Sequence, residues 1–257
     1  MGVKIVGTGS YLPDGVRTNH DVERLSRYNR TERKNLSLDE WARRYHGGDR
    51  RHVANTEQAT SDLALGAAQR ALGHAGVTGT DIDLILLATF TGDYQLPQTA
   101  GILQSKLSSR AKFLQIDAAC SGFIDGLMVA DALMSRYPYR RTLLVAADIL
   151  SRLCDPADHV TQTVFGDGAG AVVLEPCMAD EIGFTVFSTG SDGELGEYVF
   201  VPAGPRGQRR PGHAAGHQPD QLTPVAVDRP RRDLAGNGVV EAVAAGLDQH
   251  GRSSRER

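Results

Sequence analysis

Among the three cysteines of this 257-residue chain, Cys120 has the sequence context of a nucleophile. It lies in the segment DAACSGF, between a predicted strand and a predicted helix. The free N–H groups and the dipole at a helix start stabilise an anion, so a thiolate held there would readily attack an acyl carbonyl. Most free cysteines are only small buried apolar residues, and on context alone this alternative stays open for Cys120. Cys154 and Cys177 lack that context, and for them we predict the buried role.

Strands and helices are predicted to alternate around Cys120, which is typical of a parallel sheet with helical crossovers. The predicted strands span residues 3–6, 82–88, 113–116, 143–147 and 169–174. The predicted helices span residues 61–75, 99–107 and 121–134. The glycine-rich FGDGAGA at 165–171 precedes a strand, so it indicates a tight turn rather than a dinucleotide fingerprint. The series indicates a layered α/β domain over residues 1–176.

The composition changes after residue 204. Residues 205–233 contain five prolines and six arginines and show almost no apolar periodicity. Such a stretch cannot build a packed core, so we predict a linker, a disordered insertion or an altered reading frame there. We assign residues 177–204 to the start of a second half, and residues 234–257 to a residual helix, at 234–247, with a polar tail.

Charge and hydropathy exclude several classes of partner. The net charge is only -3, which gives no electrostatic reason to expect nucleic acid or an anionic membrane as a partner. No stretch approaches the roughly 20 apolar residues of a membrane span, and the start of the chain does not resemble a signal peptide. The cysteine spacing favours neither a zinc site nor a disulfide framework. We therefore expect a cytoplasmic protein with no metal that acts on a small molecule or on another protein.

Several motifs, in the same order along the chain, resemble those of the β-ketoacyl-ACP synthase III family, the starter-condensing branch of the thiolase superfamily. They are GTGSYLP at 7–13, DEW at 39–41, AACSGF at 118–123, SR followed by CDP within 151–156, and FGDGAGA at 165–171. The resemblance extends to about residue 204 and implies an α/β, thiolase-like layered fold with a complete N-terminal half and a truncated C-terminal half. It also implies acyl transfer from a thioester to Cys120, followed by decarboxylative Claisen condensation with malonyl-ACP, as in fatty acid or polyketide initiation.

The resemblance assigns roles to four further residues. Trp41 and Arg152 would hold the adenine end of a CoA donor, Trp41 by stacking and Arg152 by stacking or by pairing with phosphate; a packed aromatic and a solvated charge are the alternatives. Leu96 falls where the family closes its acyl pocket with a side chain from a neighbouring subunit, which implies a homodimer; ordinary interface packing is the alternative. Asn237, matched through Ala235-Gly236-Asn237, would line the tunnel. The implied partners are acyl-CoA or acyl-ACP and the acyl carrier protein, with no cofactor.

The chain also departs from the family pattern. In the family, a histidine and an asparagine in a His-Gln-Ala-Asn segment stabilise the enolate and the oxyanion. That segment is not found in this sequence, and HQPD at 217–220 resembles it only superficially. Also missing is the family's late glycine loop, whose backbone N–H would pair with that of Cys120 to form the oxyanion hole, a contribution of roughly 10²- to 10³-fold in rate. The segment 26–38 before Trp41 is longer than is usual, and YHGG at 45–48 stands where Arg-Thr-Gly-Ile is typical. The loss of that arginine weakens the case for CoA over a carrier-protein donor.

Three hypotheses follow from these observations. The first is a synthase III type enzyme whose chain is truncated or frameshifted near residue 205 and whose condensation step is impaired. The second is a non-condensing thiolase-fold module for acyl binding or protein interaction. The third is a starter-unit acyltransferase, which needs no decarboxylation and so no late histidine.

Overall fold

The computed structural model describes residues 2–178, 183–184, 187–193, 199–200 and 226–227. The strands are β1 (Val3–Tyr11), β2 (Gly15–Thr18), β3 (Arg50–Val53), β4 (Leu84–Ala88), β5 (Lys112–Ile116), β6 (Thr142–Ile149), β7 (Asp167–Pro176), β8 (Val199–Phe200) and β9 (Ala226–Val227). The α-helices are α1 (Asn19–Leu25), α2 (Leu38–Tyr45), α3 (Thr60–Ala75), α4 (Thr99–Lys106), α5 (Gly122–Arg136) and α6 (His159–Val164). Apart from β9, the segments predicted at 205–233 and 234–257 lie outside the described residues, and the proposed boundaries at 176, 204 and 233 stay predictions.

The main sheet has five strands in the order β1-β7-β6-β4-β5. β4 is parallel to both β5 and β6, as the alternation of strands and helices predicted. β7 is antiparallel to β6 and to β1, so the expectation of a fully parallel sheet was wrong. The physical reason is that the short α6 between β6 and β7 packs near α1 and β3 instead of crossing a face of the sheet. Two small ribbons, β2 with β3 and β8 with β9, complete the described strands.

Helices cover both faces of the main sheet. Alternate residues of β4 point to opposite sides, with Ile85 and Leu87 packed against α3 and α4, and Leu84 and Leu86 packed against α5. Every residue of β4 is buried, which confirms the sequence expectation of a strand covered on both faces. β5 forms one edge of the sheet, because its hydrogen-bonded partner in the described residues is β4 alone.

The two glycines of the GTGSYLP motif allow α3 to lie very close to β1. A Cβ atom at Gly9 would lie 2.8 Å from the Cβ of Arg70, and closer still to the backbone of Ala67 and Ala71. A Cβ at Gly7 would meet α3 in the same way, one turn further along. These glycines are therefore required by packing, and the motif belongs to the scaffold.

No helix among the described residues combines the length and the apolar character needed to cross a lipid bilayer.

The close approach of β1 and α3 predicts a stability difference between two glycine substitutions. Gly9→Ala should lower the free energy of unfolding by about 1–3 kcal/mol, because the added methyl group overpacks this contact. Gly73→Ala, also on α3 but with open space around the new Cβ, should instead raise it by about 0.5–1 kcal/mol through helix propensity. Urea unfolding midpoints measure both effects, and equal midpoints for the two variants would contradict the packing role.

Candidate active site

The structure places Cys120 between the end of β5 and the start of α5, where the sequence predicted a strand-to-helix junction. It lies in a single 3₁₀ turn, Ala119–Ser121, that leads directly into Gly122, and its side chain is exposed. Ser121 holds this turn, since its hydroxyl donates to the carbonyl of Ala118 at 2.9 Å and to Asp125 Oδ2 at 2.6 Å. In the described part of the chain the N-cap residue of α5, Ser121, makes no side-chain cap hydrogen bond, and the N–H of Gly122 donates to the carbonyl of Ala119.

Small residues fix the height of Cys120 above the sheet. A Cβ at Gly122 would lie 3.1 Å from the Cβ of Ala88, the last residue of β4. One turn later, a Cβ at Gly126 would lie 2.6 Å from Leu144 Cδ1 on β6. The start of α5 therefore rests directly on the sheet, and Cys120 lies at the edge where the three parallel strands end. This is the edge at which open α/β sheets bind their ligands.

A partly buried carboxylate, Asp148, organises the loop that follows β4 at the same edge. Its Oδ1 accepts hydrogen bonds from the hydroxyl of Thr89 at 3.0 Å, the hydroxyl of Thr91 at 2.7 Å, and the N–H groups of Phe90 and Thr91. Burial raises the pKa of Asp148, although these donors act in the opposite direction. Sequence reasoning missed Asp148, because its donors are about 58 residues away along the chain. It has a positioning role.

The prediction of a tight turn at FGDGAGA was wrong: residues 167–171 form the first half of β7, where they pair with β6, and only Phe165 and Gly166 connect α6 to this strand. The segment contributes Asp167 to the site. This buried carboxylate accepts from the N–H and the hydroxyl of Ser151, at 2.8 and 2.7 Å, and from the N–H of Ala54 at 2.7 Å. It thereby holds the 3₁₀ turn Leu150–Arg152 that carries Arg152. Asp167 therefore positions a turn that carries a predicted binding residue.

Arg152 borders a cavity of about 350 Å³. Its Nη2 donates to the carbonyls of Asn55 at 2.7 Å and Gln58 at 2.6 Å, and its side chain remains exposed. Arg17, whose guanidinium donates to Gln162 Oε1, lines the same cavity, as does Ser151. The cavity thus presents two guanidinium groups, and a phosphate contact of Arg152 stays a prediction.

Trp41 does not line that cavity but packs into an aromatic cluster. It is 8% exposed, and the rings of Tyr45 and His159 lie 5.2 Å from it, between centroids. His46 and Tyr28 lie at 6.0 and 6.4 Å. The structure therefore brings His159, rather than Arg152, next to Trp41. The sequence carried no signal for this pairing, because α2 and α6 are separated by more than a hundred residues. The predicted stacking of Trp41 on adenine is untested.

A further buried cation holds the elements around this cluster together. Arg51 donates to the carbonyl of Arg17 at 3.2 Å, to Asn19 Oδ1 at 2.6 Å and to the carbonyl of Thr163 at 2.8 Å, and so connects β3 with β2, α1 and α6. Burial lowers the pKa of Arg51, and the nearby charge of Arg17 acts in the same direction. Burial also lowers the pKa of His46, with a smaller contribution from Arg51.

The remaining predicted site residues are dispersed. Leu96 is 84% exposed on the loop between β4 and α4, close along the chain to the exposed Tyr94 and Phe90. Its role against a neighbouring subunit is untested. Asn237 lies outside the described residues. Cys154 and Cys177 are both buried, as predicted, and Cys154 donates to the carbonyl of Leu150 at 3.3 Å.

Comparisons with known proteins agree with this architecture. Residues 114–193 match the family model for 3-oxoacyl-[acyl-carrier-protein (ACP)] synthase III. The chain is 43% identical over 204 residues to the beta-ketoacyl-[acyl-carrier-protein] synthase III of Alkalilimnicola ehrlichii, an alignment that covers 79% of this chain and 60% of that protein. For the enzyme of the same name from Geobacillus kaustophilus the identity is 40% over 201 residues, covering 78% and 62%. The chain thus spans about 60% of the length of the curated relatives it matches.

Solved structures with the same architecture include two informative relatives. The 3-oxoacyl-(acyl carrier protein) synthase III from Pseudomonas aeruginosa has a TM-score of 0.71 at 36% identity, over 80% of this chain and 62% of that one. The priming β-ketosynthase from the R1128 polyketide biosynthetic pathway has a TM-score of 0.72 at 25% identity, over 88% and 63%.

The sheet covered by α3 and α4 on one face and α5 on the other, with a thiol at the start of α5, defines a thiolase-like layered α/β fold. Within that class, the described sequence is most informatively compared with the β-ketoacyl-ACP synthase III proteins, to which it is similar over about 60% of their length. The predicted α/β thiolase-like fold and the predicted resemblance to this family are thereby confirmed.

The geometry of the three thiols predicts unequal reactivity in the folded protein. Cys120 should react with iodoacetamide at about pH 8 at least about tenfold faster than Cys154 or Cys177, because only Cys120 is exposed. Burial raises the pKa of Cys154 to about 11, so its labelling should increase only as the pH approaches that value. Peptide mass spectrometry measures each rate. Cys120→Ser is the control that should remove the fast label, and equal rates at all three sites would contradict the structure.

Proposed function

We propose that the protein is an acyltransferase that loads a starter acyl group on Cys120 and condenses it with malonyl-ACP to begin a fatty acid or polyketide chain. The observation that carries the proposal is the exposed thiol of Cys120 at the start of α5, on the edge where β4, β5 and β6 end. The names of the family relatives support the same chemistry.

In the first half-reaction, the thiolate of Cys120 attacks the carbonyl of an acyl thioester. The carbon–sulfur bond of the donor breaks, the donor leaves as a thiolate, and a new thioester forms on Cys120. The N–H groups in the first turn of α5 point towards the same region and favour the negative charge that develops there. Two residues position this turn: Ser121 through the hydrogen bonds of its hydroxyl, and Gly122 through its close packing on Ala88.

In the second half-reaction, a malonyl thioester loses CO₂, and the resulting carbanion attacks the acyl carbonyl while Cys120 leaves as a thiolate. The family resemblance assigns the stabilisation of this carbanion to a histidine and an asparagine in a His-Gln-Ala-Asn setting that the printed sequence does not contain. We therefore expect the two half-reactions to separate in the 257-residue chain. Acyl transfer should proceed, whereas condensation should be weak.

We further propose that two copies associate through the edge of the sheet at β5. The described contacts leave one side of β5 without a neighbouring strand, and Leu114 on β5 is partly exposed. An exposed strand edge with apolar side chains is a surface for pairing with another strand. Leu96, 84% exposed, follows the strand that neighbours β5 and would contribute to such an interface.

The acyl-transfer step predicts a specific covalent product. Incubation of the chain with a ¹⁴C-labelled acetyl thioester, offered both on CoA and on ACP, should give one acetyl group per chain on Cys120, and Cys120→Ala should abolish the label. Cys177→Ala should keep it, because that buried thiol contacts neither donor. Little ketoacyl product should form when malonyl-ACP is added. Robust ketoacyl product would contradict the expected weakness of condensation, and transfer to an alcohol or amine without malonyl consumption would favour the acyltransferase alternative.

The dimer proposal predicts a change in association without a change in folding. Leu96→Arg should weaken dimerisation at least about tenfold, because the charge would be desolvated in the interface. Its thermal unfolding at low concentration should be unchanged, since Leu96 is exposed in the single chain. Leu25→Arg, at a position 70% exposed on α1, is the matched control and should leave the dimer intact. Sedimentation velocity measures the dissociation constant, and a wild-type chain that stays monomeric at all concentrations rules the dimer out.

A further inference from the structure

The surroundings of Trp41 bear on which thioester donor the protein can use. Besides its four ring neighbours, Trp41 has the guanidinium carbon of Arg33 5.7 Å from its ring centroid, a cation–π distance. Only 8% of the residue remains exposed. An adenine base that stacks on a tryptophan must cover most of one ring face. The protein's own side chains already occupy that space.

All but one of the side chains around Trp41 come from the two places where the chain departs from the family pattern; the exception is His159, from α6. Tyr28 and Arg33 belong to the longer segment before Trp41, and Tyr45 stands where the resemblance expects an arginine. The segment is held in place, because the hydroxyl of Tyr28 donates to the carbonyl of Leu36 at 3.0 Å. The guanidinium of Arg30 also binds Glu23 at 2.6 Å. The cover over Trp41 is thus an ordered part of the fold.

From this arrangement we propose that Arg33 and Tyr45 exclude the adenine of CoA from Trp41, so that the acyl donor is a carrier protein, which delivers its thioester on a phosphopantetheine arm without a base. The inference rests on the proposed acyl transfer to Cys120. The cavity with Arg17 and Arg152 does not discriminate between the donors, because both donors carry phosphate on the arm. Of the two donors only CoA carries an adenosine 3′-phosphate, and Trp41 is the side chain that would receive its base.

The first experiment measures base binding directly and does not depend on catalysis. Trp41 is the sole tryptophan of the chain, so its fluorescence reports on its own ring. Titration with adenosine 3′,5′-bisphosphate, which carries the base and phosphates of CoA but no thioester, should leave wild-type emission unchanged into the millimolar range. Quenching of the wild-type protein at micromolar ligand overturns the proposal.

A variant that removes the side chains covering Trp41 should gain binding of the base. Arg33→Ala combined with Tyr45→Arg removes the guanidinium and restores the arginine that the family pattern places there. Tyr45 is 68% exposed, and Arg33 is partly exposed, so the fold should tolerate both changes. The variant should bind adenosine 3′,5′-bisphosphate at least about tenfold more tightly than wild type. Arg30→Ala, in the same segment but paired with Glu23, is the control and should bind as wild type does. If the open variant also fails to respond, Arg33 and Tyr45 are not what excludes the base.

The second experiment compares donors that carry the same acyl group. The initial rate of Cys120 labelling should be at least about tenfold higher with acetyl-ACP than with acetyl-CoA at equal concentration. Equal rates overturn the donor inference and leave the proposed acyl transfer standing. Labelling from neither donor overturns the proposed function, and the fluorescence titration then still decides whether the base is excluded.

Discussion

The packing of α5 on the parallel strands is the constraint on which the position of Cys120 depends. Gly122 and Gly126 bring the helix so close that their added Cβ atoms would touch Ala88 and Leu144. Since β4 is buried on both faces, the sheet offers a fixed platform for this contact. The thiol then emerges at the carboxyl edge of the strands, beside the first turn of the helix. The local sequence and the packing of α5 on the sheet together fix the position of the Cys120 thiol.

Sequence reasoning placed Cys120 correctly at a strand-to-helix junction because the signals for that junction are local. The strand β5, the turn with Cys120 and the apolar period of α5 follow one another within 25 residues, from Lys112 to Arg136. The antiparallel placement of β7 was not predicted, since hydrophobic periodicity identifies strands but not their direction. The short elements α1, α2, α6, β2 and β3 were also missed. The helices α1 and α2 carry local signals that could have identified them, since each begins with a capping box, Thr18 with Asp21 and Ser37 with Glu40. By contrast, Arg51 joins β3 to α6 across more than a hundred residues, which no local pattern indicates.

The surroundings of Trp41 also show that local sequence patterns do not reveal contacts between distant parts of the chain. The DEW motif identified the tryptophan, but its neighbours come from three separate parts of the chain: Tyr28 and Arg33, then Tyr45, then His159. A family resemblance assigns a role to a residue, but it cannot show which side chains of this protein pack against that residue. The longer segment and the altered YHGG were visible in the sequence as departures. Only the fold shows that both departures meet on one ring.

The nucleophile and the proposed donor-selecting residues belong to different structural units. Cys120 depends on the contact between α5 and the sheet, whereas Trp41 lies in a separate apolar cluster with Val22, Leu38 and Ala42. That cluster is built by α1 and α2 and by the partly buried side chains of Tyr28, Leu36 and Val160. A change in the segment before Trp41 can therefore alter what is bound there without moving the thiol. Because the two units are separate, Cys120 can keep its position at the start of α5 while the side chains around Trp41 change.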